Sequence, residues 1–186
     1  MVKIIKQDFN KNKSLFNSIR EKLSNSLNKN IQIEHVGSTA IPNIYGKNII
    51  DILIGAKDSD EFNFIKNVLE ENGFFGSENS KTYEYQFFAS RKEETGDGDI
   101  HIHLVLKDTK RYRDFIVLRD FLLENEYIAK EYSDYKKSLI ENNIKDRKKY
   151  KEVKGEYVSK LIEKANNYKK NGEIYETTKT SISYTI

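Results

Sequence analysis

The chain has 186 residues, 37% of them hydrophobic and 33% charged, with a formal net charge of +3 and no cysteine. That length suits one domain whose core needs no staples, and the missing cysteines exclude disulfides and thiolate zinc sites. No apolar stretch approaches the ~20 residues that span a bilayer, and Lys3 and Lys6 are not followed by the apolar block of a secretory leader, so a cytoplasmic protein with no membrane partner is expected.

Residues 8–28 read as an amphipathic helix, with Leu15, Ile19, Leu23 and Leu27 recurring every four residues and Phe16 beside them. A strand over 31–36 then runs into Gly37-Ser38, a tight turn that Gly permits and that lets a ligand approach the backbone. Pro42, Asn43 and Gly46 mark a loop. A second strand spans about 48–55, apolar except for Asp51. A carboxylate there must be paired, bind a metal or sit at the strand's open end.

Asp58 and Glu61 have capping-box spacing for a helix with Phe62, Ile65, Val68 and Leu69 on one face, stopped by Gly73. Residues 82–89 alternate and are aromatic, which predicts a strand, and 93–99 form a polar turn. The clearest alternation covers 100–106: Ile100, Ile102, Leu104 and Leu106 on one side, His101, His103 and Val105 on the other, with Asp99 leading in.

From Asp108 the period is helical. Tyr112, Phe115, Leu118/Arg119 and Leu122 make one stripe, and Tyr127, Tyr132, Tyr135 and Leu139 a second. Tyr150, Val153, Tyr157, Leu161, Ala165 and Tyr168 make a third, long one, in which Gly155 suggests close packing. Residues 107–170 hold 18 Lys and Arg against 12 Asp and Glu. Such a surface can attract a phosphorylated ligand or serve as a solvated helix face. From Ile174 a Thr/Ser-rich tail is expected to be partly ordered, with an added edge strand as one form. This order of elements is that of an α+β fold with a mixed sheet.

The chemistry-bearing residues gather on these strands. His101 and His103 share one face, and Asp51 is the natural third group if its strand pairs nearby; together they could bind a divalent ion or phosphate oxygens. A His-x-His pair also occurs as two half-exposed strand residues. His35 is expected as a strand-end residue hydrogen-bonded to backbone. Lys47 and Arg91, in loops, could neutralise phosphate or be solvated. Arg119 lies on a mostly apolar stripe and calls for an acidic or phosphate partner, Asp120 among them. The run Arg147-Lys148-Lys149 reads as solvent-facing, and nothing in the basic helices reads as a nucleic-acid surface.

The run Glu34-His35-Val36-Gly37-Ser38-Thr39-Ala40-Ile41-Pro42, followed by Lys47 to Ile54, resembles the signature of the GrpB (UPF0157) proteins. Asp99 to Val105 is similar to that family's His-x-His strand. Leu118-Arg119-Asp120-Phe121-Leu122 is similar to its Phe-Arg-Asp segment with Leu118 in place of Phe, and Ala129, Tyr132, Lys136, Tyr150, Lys154 and Ala165 follow its helical end. The resemblance covers about residues 5–168. It implies a nucleotidyltransferase-like mixed sheet over 1–107 with flanking helices, a helical region over 108–170 packed on it in the same domain, and a tail over 171–186.

The resemblance further implies that the Gly37-Ser38 turn holds phosphate and the Asp51 strand magnesium; Thr39, Lys47 and Arg119 are expected to complete the phosphate contacts. Asp51, His101 and His103 would be catalytic groups and ligands of magnesium or manganese, with no organic cofactor. Active nucleotidyltransferases carry two acids one residue apart on this strand; here Leu53 takes the second place, which speaks against two-metal transfer. The expected partner is a nucleotide or phosphorylated small molecule, which the protein would bind and, as an enzyme, transfer. The alternatives are a non-catalytic anion-binding module and a His-based metal-dependent hydrolase.

Overall fold

The computed structural model describes residues 2–27, 30–90, 99–144 and 146–182, as backbone alone from residue 170 onward. Arg91 and the expected turn over 93–98 lie outside the described residues.

The sequence periods become these elements: β1 (Ile5–Lys6), α1 (Phe9–Ser26), β2 (Gln32–Val36), β3 (Tyr45–Gly46), β4 (Ile50–Ala56), α2 (Ser59–Glu71), β5 (Phe74–Ser77), β6 (Tyr85–Ser90), β7 (Ile100–Leu106), α3 (Lys110–Glu124), α4 (Glu126–Glu141) and α5 (Arg147–Ile182). Local chemistry sets the helix starts. Asp8 accepts from Lys11 N at 3.0 Å, Asp58 from Glu61 N at 2.8 Å and Thr109 from Tyr112 N at 3.2 Å, each satisfying an orphan donor of a first turn. The Glu61 carboxylate reaches back to Lys57 N at 2.6 Å, one residue earlier than a reciprocal box requires.

The main sheet has the order β2-β4-β7-β6-β5; only β4 and β7 run parallel. This mixed α+β sheet, with a Gly-Ser turn after β2 and an acid on β4, is the expected nucleotidyltransferase-like arrangement. A two-stranded ribbon of β1 and β3 stands beside it. One sheet face, with Ile33, Ile52, Ile54, Ile102, Leu104 and Phe88, is closed by Phe16, Ile19 and Leu23 of α1 and Ile65 and Leu69 of α2. The other carries Val36, Leu53, Tyr85 and Val105 under Tyr112, Phe115 and Ile116 of α3. The opposite side of α3, through Leu118 and Leu122, packs with Ala129, Tyr132 and Leu161 of α4 and α5. The helical region is thus joined to the sheet by a shared helix.

Four expectations need correction. Leu15 is 44% exposed while Phe16 is buried: a strict four-residue spacing drifts around a 3.6-residue helix, and the 16-19-23 spacing stays on one face. β5 was hidden by its length of four residues and by Gly76, whose missing Cβ makes room for the Gln86 amide. Gly155 marks no close packing, since a Cβ there meets nothing within 4 Å. The tail is not an edge strand up to Ile182, because α5 continues to that residue.

Candidate functional site

Strand register assembles the site. In β2, β4 and β7, Val36, Asp51 and His101 lie in one cross-strand row and Glu34, Leu53 and His103 in the next. Side chains alternate along a strand, so Asp51, His101 and His103 share the α3-facing side. Asp51 Oδ1 lies 3.3 Å from His101 Nδ1 and 3.9 Å from His103 Nε2. Burial works against ionisation of Asp51, but the two imidazoles outweigh it and hold the carboxyl well below the usual carboxylate range. His103 Nδ1 in turn lies 3.0 Å from the Tyr85 hydroxyl. The neutral tautomer with its proton on Nε2 serves both neighbours: Nε2–H faces Asp51 and Nδ1 accepts from Tyr85. Phe87 packs edge-on to His101 at 4.9 Å and Phe115 against His103 at 4.6 Å, and the Arg111 guanidinium covers the Tyr85 ring at 4.1 Å.

The Gly-Ser turn leans on this acid. Gly37 has φ +71°, and an added Cβ would collide with Asp51 Oδ2. A single 3-10 turn, Ser38–Ala40, follows. Gly46 of β3 packs on Ser38 Oγ so closely that a Cβ there would also collide. Thr39 is fully buried; its hydroxyl donates to Ile49 O at 3.2 Å and meets His35 Nε2 at 3.0 Å. Its side chain therefore holds the turn rather than facing the cleft. Arg119 is likewise engaged within the protein: it donates to Glu34 at 2.7 Å and to Asp120 at 2.8 Å. The expected Asp120 partnership is present, and the further anchor is the β2 acid Glu34.

His35 lies on the opposite side of the sheet from the other imidazoles. It stacks on Phe16 at 4.6 Å, and its partner is the Thr39 hydroxyl rather than backbone. Burial lowers its pKa to about 4, with Asp51 opposing and Arg119 reinforcing the shift. A folded pKa below the unfolded 6.5 means stability that is present above pH 6.5 and is lost as pH falls towards 4. Between pH 7.5 and 4.5 the wild-type chain is expected to lose ~2.5 kcal/mol more than His35→Gln, at ~1.4 kcal/mol per unit; urea denaturation at the two pH values checks it.

Two functional candidates escaped the sequence reading of the site: Lys136 on α4 and Lys154 on α5. Lys136 is 2% exposed, donates to the Tyr45 carbonyl and lies 4.4 Å over the Tyr132 ring. Burial, then Lys154, push its pKa down to about 7, with Asp51 pulling the other way. Lys154 is half-buried, with no hydrogen-bond or ion-pair partner among the described residues. Burial pushes it down too, Asp51 opposing. Lys47 keeps exposed surface and lies 6.0 Å over the Tyr150 ring; desolvation, then Arg147 and Lys154, lower its pKa, and Asp51 raises it. The signal for both was positional. Lys136 falls on the 132-136-139 stripe and Lys154 on the 150-154-157-161 stripe, places where a solvated lysine has no reason to be.

The donor set does not fit a two-magnesium centre. Magnesium takes hard oxygen ligands in octahedral array. Here one carboxylate faces two imidazoles, and Leu53 fills the second acidic place. Among the described residues no group of three or more His, Cys, Asp or Glu is arranged to hold a metal.

Fold and site define an α+β protein with a mixed five-stranded sheet, a single acid at its glycine turn and a helical region joined to the sheet through α3. The chain belongs to the GrpB family, whose model matches residues 2–164. A UPF0157 protein of Halalkalibacterium halodurans is 31% identical over 140 residues, 75% of this chain and 69% of that protein. The crystal structure of conserved protein GrpB from Enterococcus faecalis has the same fold, with a TM-score of 0.75 at 23% identity over 89% of this chain and 99% of that one. A weaker, low-identity likeness extends to the Cid1 poly(U) polymerase: TM-score 0.43 and 12% identity over 64% of this chain and 39% of that one. No described helix is long and apolar enough to cross a membrane.

Proposed function

We propose that this protein binds a phosphorylated small molecule, a nucleotide first among them, in the cleft between the Gly37-Ser38 turn and helices α4 and α5. The observation that carries this reading is Lys154, a half-buried ammonium without a partner among the described residues, electrostatically coupled to Asp51. An unpaired buried cation is costly, and an anionic ligand removes that cost. Lys47 and the Ser38 hydroxyl are the further contacts for the same phosphate, and buried Lys136 adds positive charge behind them. A reducing cytoplasm, where such ligands abound, is the setting this reading implies.

Lys154→Gln is expected to weaken binding of ATP by at least ~10-fold while raising the stability of the ligand-free protein by ~1 kcal/mol, because an uncompensated charge leaves the interior. Calorimetric titration and urea denaturation read the two effects. A variant that binds ATP as the wild type does, or that is destabilised, overturns the role of Lys154.

The Asp51–His101 pair favours a second reading, in which the bound nucleotide is also transferred. Asp51 takes the Nδ1 side of His101, which leaves Nε2 to accept the proton of an acceptor hydroxyl. The hydroxyl oxygen would attack the α-phosphorus as the bond to pyrophosphate breaks. Incubation with labelled nucleoside triphosphates and pooled acceptors separates the readings: transfer of label establishes the enzyme, and saturable binding without transfer establishes a binding module.

A further inference from the structure

The disagreement between this donor set and the metal of the fold family has a counterpart in the same cleft. Where a nucleotidyltransferase places divalent ions between acids and phosphates, this chain places ammonium groups. A continuous line of contacts fixes their position: Lys136 donates to the Tyr45 carbonyl, the next residue Gly46 packs on Ser38 Oγ, and Gly37 packs on Asp51 Oδ2. Ser133, on the same helix as Lys136, accepts from Tyr45 N at 2.9 Å and pins that line to α4. Lys154, on α5, is near enough to act electrostatically on Asp51, Lys136 and Lys47, and Lys47, in the loop before β4, lies 6.0 Å over the Tyr150 ring.

We infer that Lys47 and Lys154 hold the ligand's phosphate directly, with Lys136 adding its charge from its place on the Tyr45 carbonyl, so that binding requires no divalent ion. The charge count agrees. The lysines outnumber the one carboxylate of Asp51, and the excess of positive charge is one that a phosphate oxyanion neutralises, the more so because the anion favours the protonated form of Lys136. Magnesium would add to that excess and would find one carboxylate, already faced by two imidazoles. Asp51 then has the opposite role from its counterpart in a two-metal enzyme: it repels the phosphate and orients His101, where the counterpart attracts phosphate through a metal.

The inference rests on the cleft being a phosphate site, and one experiment tells the two apart. The full chain is titrated calorimetrically with ATP and with pyrophosphate, in buffer containing EDTA and in buffer containing magnesium or manganese. Binding is expected in EDTA, within about threefold of the affinity with metal. In EDTA, Lys136→Gln weakens it at least ~10-fold and Asp51→Asn tightens it severalfold, since a buried like charge facing the ligand is removed. Circular dichroism and a thermal melt confirm that each variant is folded, and Lys47→Gln, at an exposed position, serves if Lys136→Gln is not. Binding that appears only with magnesium or manganese, or that Asp51→Asn abolishes, overturns the direct clamp and leaves the phosphate site standing. No binding in either buffer overturns both.

Discussion

Leu53→Asp, the substitution that rebuilds the acidic pair of a nucleotidyltransferase, is expected to destabilise the protein by about 4 kcal/mol and to create no magnesium site. Leu53 is 0% exposed and packs with Val36, Tyr85 and Val105 beneath α3. Removing it gives up the burial of a whole leucine side chain, about 1.5–3 kcal/mol. The new carboxyl must then either ionise among apolar neighbours or stay protonated, and each state costs more. His103 lies opposite in the register, but it is already engaged by Tyr85 and faces Asp51. The leucine is therefore the centre of a core layer, and no empty acidic place waits there to be refilled. The urea midpoint of the variant, with manganese and magnesium titrations of the folded form, checks this; a stability within about 1 kcal/mol of wild type, together with a gained metal site, would contradict it.

Gly37→Ala is expected to cost ~3 kcal/mol, through backbone strain and collision with Asp51, and to weaken phosphate binding by displacing the Gly37-Ser38 turn itself. Its φ of 71° and ψ of −168° fall in a region open essentially to glycine alone. The new methyl would also lie 2.9 Å from Asp51 Cβ and Cγ, and closer still to Oδ2, so the turn and the carboxylate must move apart. Gly73 supplies the control, since it has φ +81° with nothing within 4 Å. Gly73→Ala should carry only the backbone strain, ~1–2 kcal/mol, and leave ligand affinity unchanged. Equal losses of affinity in the two variants would show that the Gly37–Asp51 contact has no part in the site.

Particular residues show how far the sequence could be read. The alternation of 100–106 placed His101 and His103 on one face, and the lone acid in an apolar run singled out Asp51; the structure brings the three together. The Gly-Ser turn was readable because only glycine tolerates its backbone. Arg119 was legible as a charged group on an apolar stripe, and Thr39 as a member of the turn. That their hydrogen bonds are already taken was not, because Ile49 O, His35 and Glu34 reach them only through the fold. Lys136 and Lys154 stood in the family's helical pattern but were not read as site residues, because their place relative to the turn depends on how α4 and α5 pack, and no spacing along the chain encodes that.

By itself the sequence determined the periods: which segments are helices, which are strands, where a glycine turn must fall, and that one carboxylate stands on a buried strand. These are local properties of backbone sterics and side-chain alternation. Only the tertiary structure decided which groups meet. Parallel pairing of β4 with β7 set Asp51 beside His101 rather than on a distant strand, and the packing of α4 against β3 set Lys136 on the Tyr45 carbonyl, next to the residue that packs on Ser38. Contacts between groups far apart in the chain arise when separate apolar faces bury each other, and the charges those faces carry are brought together as a consequence.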